Sequence, residues 1–381
     1  MKVSCTQENL NKGLLVVSHV ASKSTSLPIL NNILIKAEDG LIKLLSTNLE
    51  IGVSSTIRGK VEKTGSFTVQ SRLLADYIGL LPKKRVDIEK KDDESSDGVL
   101  DIKCENFSTK IKGISAGDFP LLPEIERKNL LLCDTVGLKQ AISQTIFAVA
   151  ASETRPEIAG VLFSVRDDEL VMAATDSYRL AEKIVKIKNK SCKNFDVIVP
   201  ARTLMEILRI LTGLKDSVIS AETEKTQIFI TDNQILFAVD NVELISRLVE
   251  GQYPDYKQII PGNHKTSVAI DRQELLKAVK TTSLFTRSGI YDINLDFVVS
   301  NQKLIVSSVN NQLGENVSEL QANLTGSENN IVINYKYLID GLQNIAGDEV
   351  VMEMNDNSSP CLLKTKDNKD GYIYLIMPIK Q

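Results

Sequence analysis

Apolar positions along this chain change their period in a fixed order, and they do so three times. At positions 198–211 (IVPARTLMEILRIL) a β-branched pair runs into a turn, a basic residue and then apolar side chains at helical spacing. The same phrase stands at 68–81 (TVQSRLLADYIGLL) and at 332–345 (VINYKYLIDGLQNI). Its basic residues, Arg72, Arg202 and Lys336, recur at a spacing far beyond the roughly 20–50 residues of a solenoid unit. The repeating object is therefore a whole domain.

Other patterns fall into the same three frames. Each repeat opens with a strand and an amphipathic helix: 2–21, with Thr6 as N-cap and Leu10, Leu14 and Val17 on one face; 130–150, with Leu138, Ala141, Ile142 and Thr145; and 267–284, where Asp271 and Glu274 form a capping box before Leu275, Ala278 and Val279. A hairpin follows in each, turning at Asp39 and Gly40, at Asp167 and Asp168, and at Asn301 and Gln302. The strand and helix of the opening phrase come next. β-rich segments at 99–114, 228–248 and 361–378 close the repeats, and 90–98 reads as a charged loop within the first. About two helices and eight or so strands per repeat predict an α+β fold, antiparallel sheets with helices on one side. The expected domains are 1–128, 129–258 and 259–381.

Composition narrows the function. Among 381 residues, 43% hydrophobic content can fill sizeable cores, while a net charge of −4 confines any nucleic-acid surface to a local patch. Five cysteines (5, 104, 133, 192, 361) without a close pair match neither a disulfide framework nor a zinc site, which predicts reduced thiols and a cytoplasmic protein. No apolar run reaches the ~18 residues of a membrane span. Only two histidines exist, His19 and His264, and phosphate-loop, dinucleotide, zincin and nucleophile-elbow motifs are absent. A catalytic residue, a metal and a cofactor are not expected.

Five phrases in register, SLPILNNILI (26–35), AATDSYRLAEK (173–183), IVPAR (198–202), EGQYPDYKQIIP (250–261) and the terminal MPIK (377–380), make the chain resemble the bacterial DNA polymerase III β subunit, the sliding-clamp family, from end to end. That resemblance implies three clamp domains with antiparallel sheets outside and two helices each lining a ring, closed by two chains head to tail around duplex DNA. It implies a DNA polymerase processivity factor that slides without sequence specificity and tethers the replicative polymerase, the clamp loader and other clamp-motif proteins. The alternative from a different class is a non-catalytic repeat scaffold that binds protein peptides without enclosing DNA.

Residue by residue, the resemblance and the basic helix faces imply DNA contacts by Lys23, Arg72, Lys139, Arg155, Arg202, Arg209, Lys277, Lys280 and Lys336. The competing local reading pairs Arg72 with Asp76, Arg202 with Glu206 and Lys336 with Asp340 at i,i+4. The family's peptide groove, between its second and third domains, maps onto Ile158, Thr175, Ser177, Tyr178, Arg179, Leu180, Pro254, Ile259, Pro360, Leu375, Met377, Pro378, Ile379 and Lys380. Ser177 and Tyr178 replace the family's usual Gly-His, and Gln258 its usual Arg. Phe107, Leu284 and Phe285 match apolar positions where the family's chains meet.

Overall fold

The computed structural model describes residues 1–21, 27–91, 98–123, 125–127, 129–152, 154–189, 194–213, 225–287, 289–367 and 370–380. The first repeat runs β1 (Lys2–Thr6), α1 (Gln7–Val17), β2 (Asn32–Glu38), β3 (Leu41–Thr47), β4 (Ile51–Ile57), β5 (Gly59–Lys63), β6 (Gly65–Gln70), α2 (Ser71–Leu80), β7 (Arg85–Lys91), β8 (Val99–Cys104) and β9 (Phe107–Ile114). The second runs β10 (Leu130–Asp134), α3 (Thr135–Thr145), β11 (Gly160–Arg166), β12 (Glu169–Thr175), β13 (Arg179–Asn189), β14 (Phe195–Pro200), α4 (Ala201–Gly213), β15 (Lys225–Ile230), β16 (Gln234–Val239) and β17 (Val242–Arg247). The third runs β18 (Thr266–Asp271), α5 (Arg272–Thr282), β19 (Asp292–Val298), β20 (Lys303–Asn310), β21 (Gly314–Gln321), β22 (Asn323–Gly326), β23 (Asn329–Asn334), α6 (Tyr335–Asn344), β24 (Glu349–Met354), β25 (Cys361–Thr365) and β26 (Tyr372–Ile376). The order is common to all three; β13 is one long strand where the first repeat breaks at Arg58 into β4 and β5.

Local chemistry explains these boundaries. Thr6 Oγ1 accepts from Asn9 N at 3.3 Å and Asp271 Oδ1 from Glu274 N at 2.8 Å, capping α1 and α5 as expected. The hairpins turn where the pattern placed them, with Asp39 and Gly40 at φ 51° and 75°, Asp167 at 50° and Gln302 at 53°. The 90–98 loop is shorter than expected: Lys90 and Lys91 pair with Leu100 and Val99 at the end of β7, and 92–97 fall outside the described residues.

Contacts gather the chain into two compact units. One comprises Met1–Thr135, Lys188–Cys192 and Met205–Leu248; the other Val136–Ile187, Lys193–Leu204 and Val249–Gln381. In the first, an antiparallel sheet runs β6-β2-β3-β4-β17-β16-β15-β10, and a second runs β5-β1-β7-β8-β9. Its core includes Leu10, Leu14, Ile33, Phe67, Leu74 and Phe237, all fully buried. In the second unit, one sheet runs β14-β11-β12-β13-β26-β25-β24-β18-β22 and another β23-β19-β20-β21. Leu138, Leu275, Val279, Leu338 and Leu342 turn the apolar faces of its helices inward.

Each unit thus contains a place where strands of consecutive repeats join: β4 with β17, and β13 with β26. Among the described residues no helix is long and apolar enough to cross a membrane. The four described cysteines are free and buried, and burial pushes the thiols of Cys5, Cys133 and Cys361 up to about 12. Cys192 lies outside the described residues.

Candidate functional site

Of the expected groove residues, Thr175, Ser177, Tyr178, Arg179, Leu180, Leu375 and Met377 meet at the β13–β26 join of the second unit. Its lip is the turn before β13. Asp176 Oδ1 accepts from the backbone N–H groups of Tyr178 and Arg179 at 2.9 and 3.0 Å. Thr175 Oγ1 accepts from Ser177 N at 3.1 Å and donates to the Arg179 carbonyl at 2.6 Å. This network forces Ser177 to φ +78°, a conformation that glycine adopts without strain and serine does not. The Arg155 guanidinium closes the turn from outside, donating to Ser177 Oγ at 3.1 Å and Glu157 Oε1 at 3.1 Å.

Arg179 anchors this lip to the body. Its donors reach Asp176 Oδ2 at 2.9 Å, Asp340 Oδ2 at 2.5 Å and the Phe147 carbonyl at 2.7 Å. Its guanidinium lies 4.6 Å from the Tyr337 ring centroid and 5.6 Å from that of Phe147. Burial opposes its charge, yet Tyr374, Asp340 and Asp176 together raise it further above the ordinary arginine range.

Leu180 and Leu375 face each other across the strands, both completely buried. They belong to a core cluster with Leu162, Ala173, Tyr256 and Leu362. Tyr253, Ile260 and Met377 pack on that cluster, and Tyr256 Oη donates to Glu182. Met377 N donates to the Tyr178 carbonyl and Ile379 N to that of Val332, both at 2.8 Å, which ties Met377 to the lip and Ile379 to β23. Ile158 and Thr175 are buried, whereas Pro254, Pro360, Met377, Pro378 and Ile379 are half-buried. Tyr178 and Ile259 stand open, 63% and 39% exposed, and Lys380 is exposed as well. Apolar side chains here border a hydrogen-bonded polar turn. Gln258 donates to Asp255 at 2.7 Å.

The basic residues divide. Arg72, Arg155, Arg202, Lys277 and Lys280 are exposed; Lys139 is half-buried on α3. The local i,i+4 reading holds for Arg72, whose Nε is 3.8 Å from Asp76. Asp340 belongs to Arg179 instead, and Lys336 lies 3.5 Å from the Tyr291 ring centroid. Glu206 is buried, accepting from Arg209 at 2.5 Å and contacting His19 Nδ1 at 2.7 Å. Arg209 also donates to the carbonyls of Leu15 and Val16 at 3.0 and 2.6 Å, closing the open end of α1. It is a helix clamp, a role its sequence position did not reveal. Lys23 lies outside the described residues. Phe107 and Leu284 are 51% and 71% exposed and Phe285 is half-buried, so two of these three apolar side chains are held outside their own cores.

Family models cover nearly the whole chain: the N-terminal domain of the DNA polymerase III beta subunit at residues 1–123, the central domain at 133–255 and the C-terminal domain at 257–380. The chain belongs to the DNA polymerase III β subunit family. The Beta sliding clamp of Bacillus subtilis (strain 168) is 30% identical over 389 residues, covering 100% of both chains. That of Staphylococcus epidermidis is 33% identical over 368 residues, covering 94% of each. Among solved structures, the DNA polymerase sliding clamp from Bacillus subtilis superposes with a TM-score of 0.91 at 29% identity, covering 100% of this chain and 99% of that one. A sliding clamp from Pseudomonas aeruginosa bound to griselimycin gives 0.90 at 27%, covering 100% of both. The chain therefore has the three-domain clamp fold of mixed helix and antiparallel sheet.

Proposed function

We propose that this protein is a DNA polymerase processivity clamp, with no catalytic residue, metal or cofactor of its own. Kinship with the Bacillus subtilis clamp along the entire chain carries this reading. Two copies close head to tail, through Phe107 of one and Leu284 and Phe285 of the other, into a cytoplasmic ring of six domains bounded at 128/129 and 258/259. The ring encircles duplex DNA. Arg72, Lys139, Arg155, Arg202, Lys277, Lys280 and Lys336, with Lys23, meet phosphates and read no bases. Arg209 fixes the helices that present them. With the whole chain at −4, concentrating cations inside leaves the outer face more acidic still, which discourages adhesion to DNA from outside.

The slot over Leu180 and Leu375 receives short apolar segments of the replicative polymerase, the clamp loader and other partners. Met377 and the prolines supply an adaptable surface, and a few buried anchors supply most of the affinity. Retention on DNA is topological. Protein loaded on a nicked circle should be released when the circle is cut; persistence after linearisation sinks the ring reading. Replacing Met377 with Glu should abolish capture of the polymerase and of the clamp loader alike, and retention of either partner removes Met377 from the site.

A further inference from the structure

The backbone frame of that groove is built twice. In the first unit Gly52 faces Ile245 and Ile51 faces Ser246, in the register that sets Leu180 against Leu375 and Arg179 against Ile376 in the second. Arg247 N donates to the Glu50 carbonyl at 3.3 Å, as Met377 N does to that of Tyr178. Asn48 Oδ1 accepts from Glu50 N and Ile51 N at 3.0 and 2.8 Å, the bonds Asp176 makes with Tyr178 and Arg179. Thr47 Oγ1 donates to the Ile51 carbonyl at 2.9 Å and accepts from Leu49 N, as Thr175 does with Arg179 and Ser177. Leu49 even shares the left-handed backbone, φ 77° against 78° at Ser177.

Between this turn and residues 120–123 lies a cavity of about 490 Å³. Pro120, in GDFP, stands where Pro254 stands in GQYP. The floor is made differently. Gly52 carries no side chain where Leu180 does, and a Cβ there would meet Leu122 Cδ2 at 2.5 Å, so Leu122 covers that ground. Above it Leu49 and Leu121 are 50% and 95% exposed, large apolar side chains held in water beside a cavity. The rim also differs in charge: Arg247 replaces Met377, and Glu50 replaces Tyr178.

We propose that this cavity is a second peptide-docking groove, taking a linear segment with one bulky apolar side chain beside one carboxylate. The apolar side chain covers Leu121 and Ile245, and the carboxylate meets the exposed Arg247. Glu50 across the rim repels a second acid, so a single one is selected. The proposal rests on reading the second unit's groove as a peptide site, since the two share one backbone frame.

Isothermal titration of the full chain tests it. The probe is a nonapeptide of Gly and Ser with Asp-Leu-Phe at its centre, and the control carries Asn-Leu-Phe. Two equivalents of probe per chain are expected. Met377→Glu should remove one and Arg247→Glu should weaken the other roughly tenfold, while Asn in the control weakens that second step roughly fivefold. Leu121→Ser, a surface change, should weaken the same step. A single equivalent, lost in Met377→Glu and untouched by Arg247→Glu, overturns the proposal and leaves the first groove standing. A single equivalent with the opposite dependence upholds it and removes the reading of the second unit's groove. No binding at all defeats both.

Discussion

Replacing Arg179 with Ala should loosen the second unit and blunt its groove together. The guanidinium serves Asp176, Asp340 and the Phe147 carbonyl from a side chain only 11% exposed. Truncation strands all three acceptors. Breaking a buried pair costs about 3–5 kcal/mol. Asp340, at 40% exposure, regains water, so the low end applies, about 3 kcal/mol including lost stacking on Tyr337. For a unit of about 200 residues, each kcal/mol lowers the melting temperature by roughly 2–4 °C, so a fall of roughly 6–12 °C is expected. Arg179→Lys keeps the charge but not the planar fork, and should recover less than half of the loss. Scanning calorimetry of the three proteins measures this. Peptide titration on the same samples reads the lip, because Arg179 holds the Asp176 turn that carries Ser177 and Tyr178. A melt within about 2 °C of the parent, with unchanged peptide affinity, would refute the reasoning.

Asp101 is buried, and the hydrogen bond from Lys91 at 2.7 Å, with the charges of Lys91, Lys103 and Lys110, holds its carboxyl below the usual range against the opposing effect of burial. A depressed carboxyl contributes stability that is complete above its unfolded value of ~3.9 and lost as pH falls through the folded one. Asp101→Asn should therefore flatten the fall in melting temperature between pH 4 and 2.5; an unchanged slope counts against the pair. Ser177→Gly should stabilise by about 0.5 kcal/mol, since ~1 kcal/mol of left-handed strain is relieved and about half is returned to unfolded-chain entropy; chemical denaturation reads the sign. Leu284→Asp should leave the melt within about 0.5 kcal/mol of the parent, because the side chain is 71% exposed, yet yield particles of 42.1 kDa in light scattering. A persisting dimer removes Leu284 from the interface.

Elements that announce a period were legible in the sequence. Leu138, Ala141, Ile142 and Thr145 are buried on α3 as their spacing requires, and all three hairpins turn at the polar pairs chosen for them. Partner choice was not legible. Glu206 lies four residues after Arg202, but its burial and contacts with His19 and Arg209 depend on tertiary placement. Asp340 bonds an arginine 161 positions away, which no local spacing encodes. Leu180 and Leu375 could not be assigned to wall or floor, because alternation along a strand names two faces without saying what covers each. The register of β4 on β17 was equally hidden, since its contacts link residues nearly 200 positions apart in sequence.

Those two joins suggest how the family tolerates change. A ladder of amides and carbonyls is indifferent to which side chains decorate it, and Gly52 opposite Ile245 sustains the same pairing as Leu180 opposite Leu375. Mutational drift at such a junction alters chemistry on its surface while the main-chain pairing persists. A superposition of 0.91 can thus survive at 29% identity.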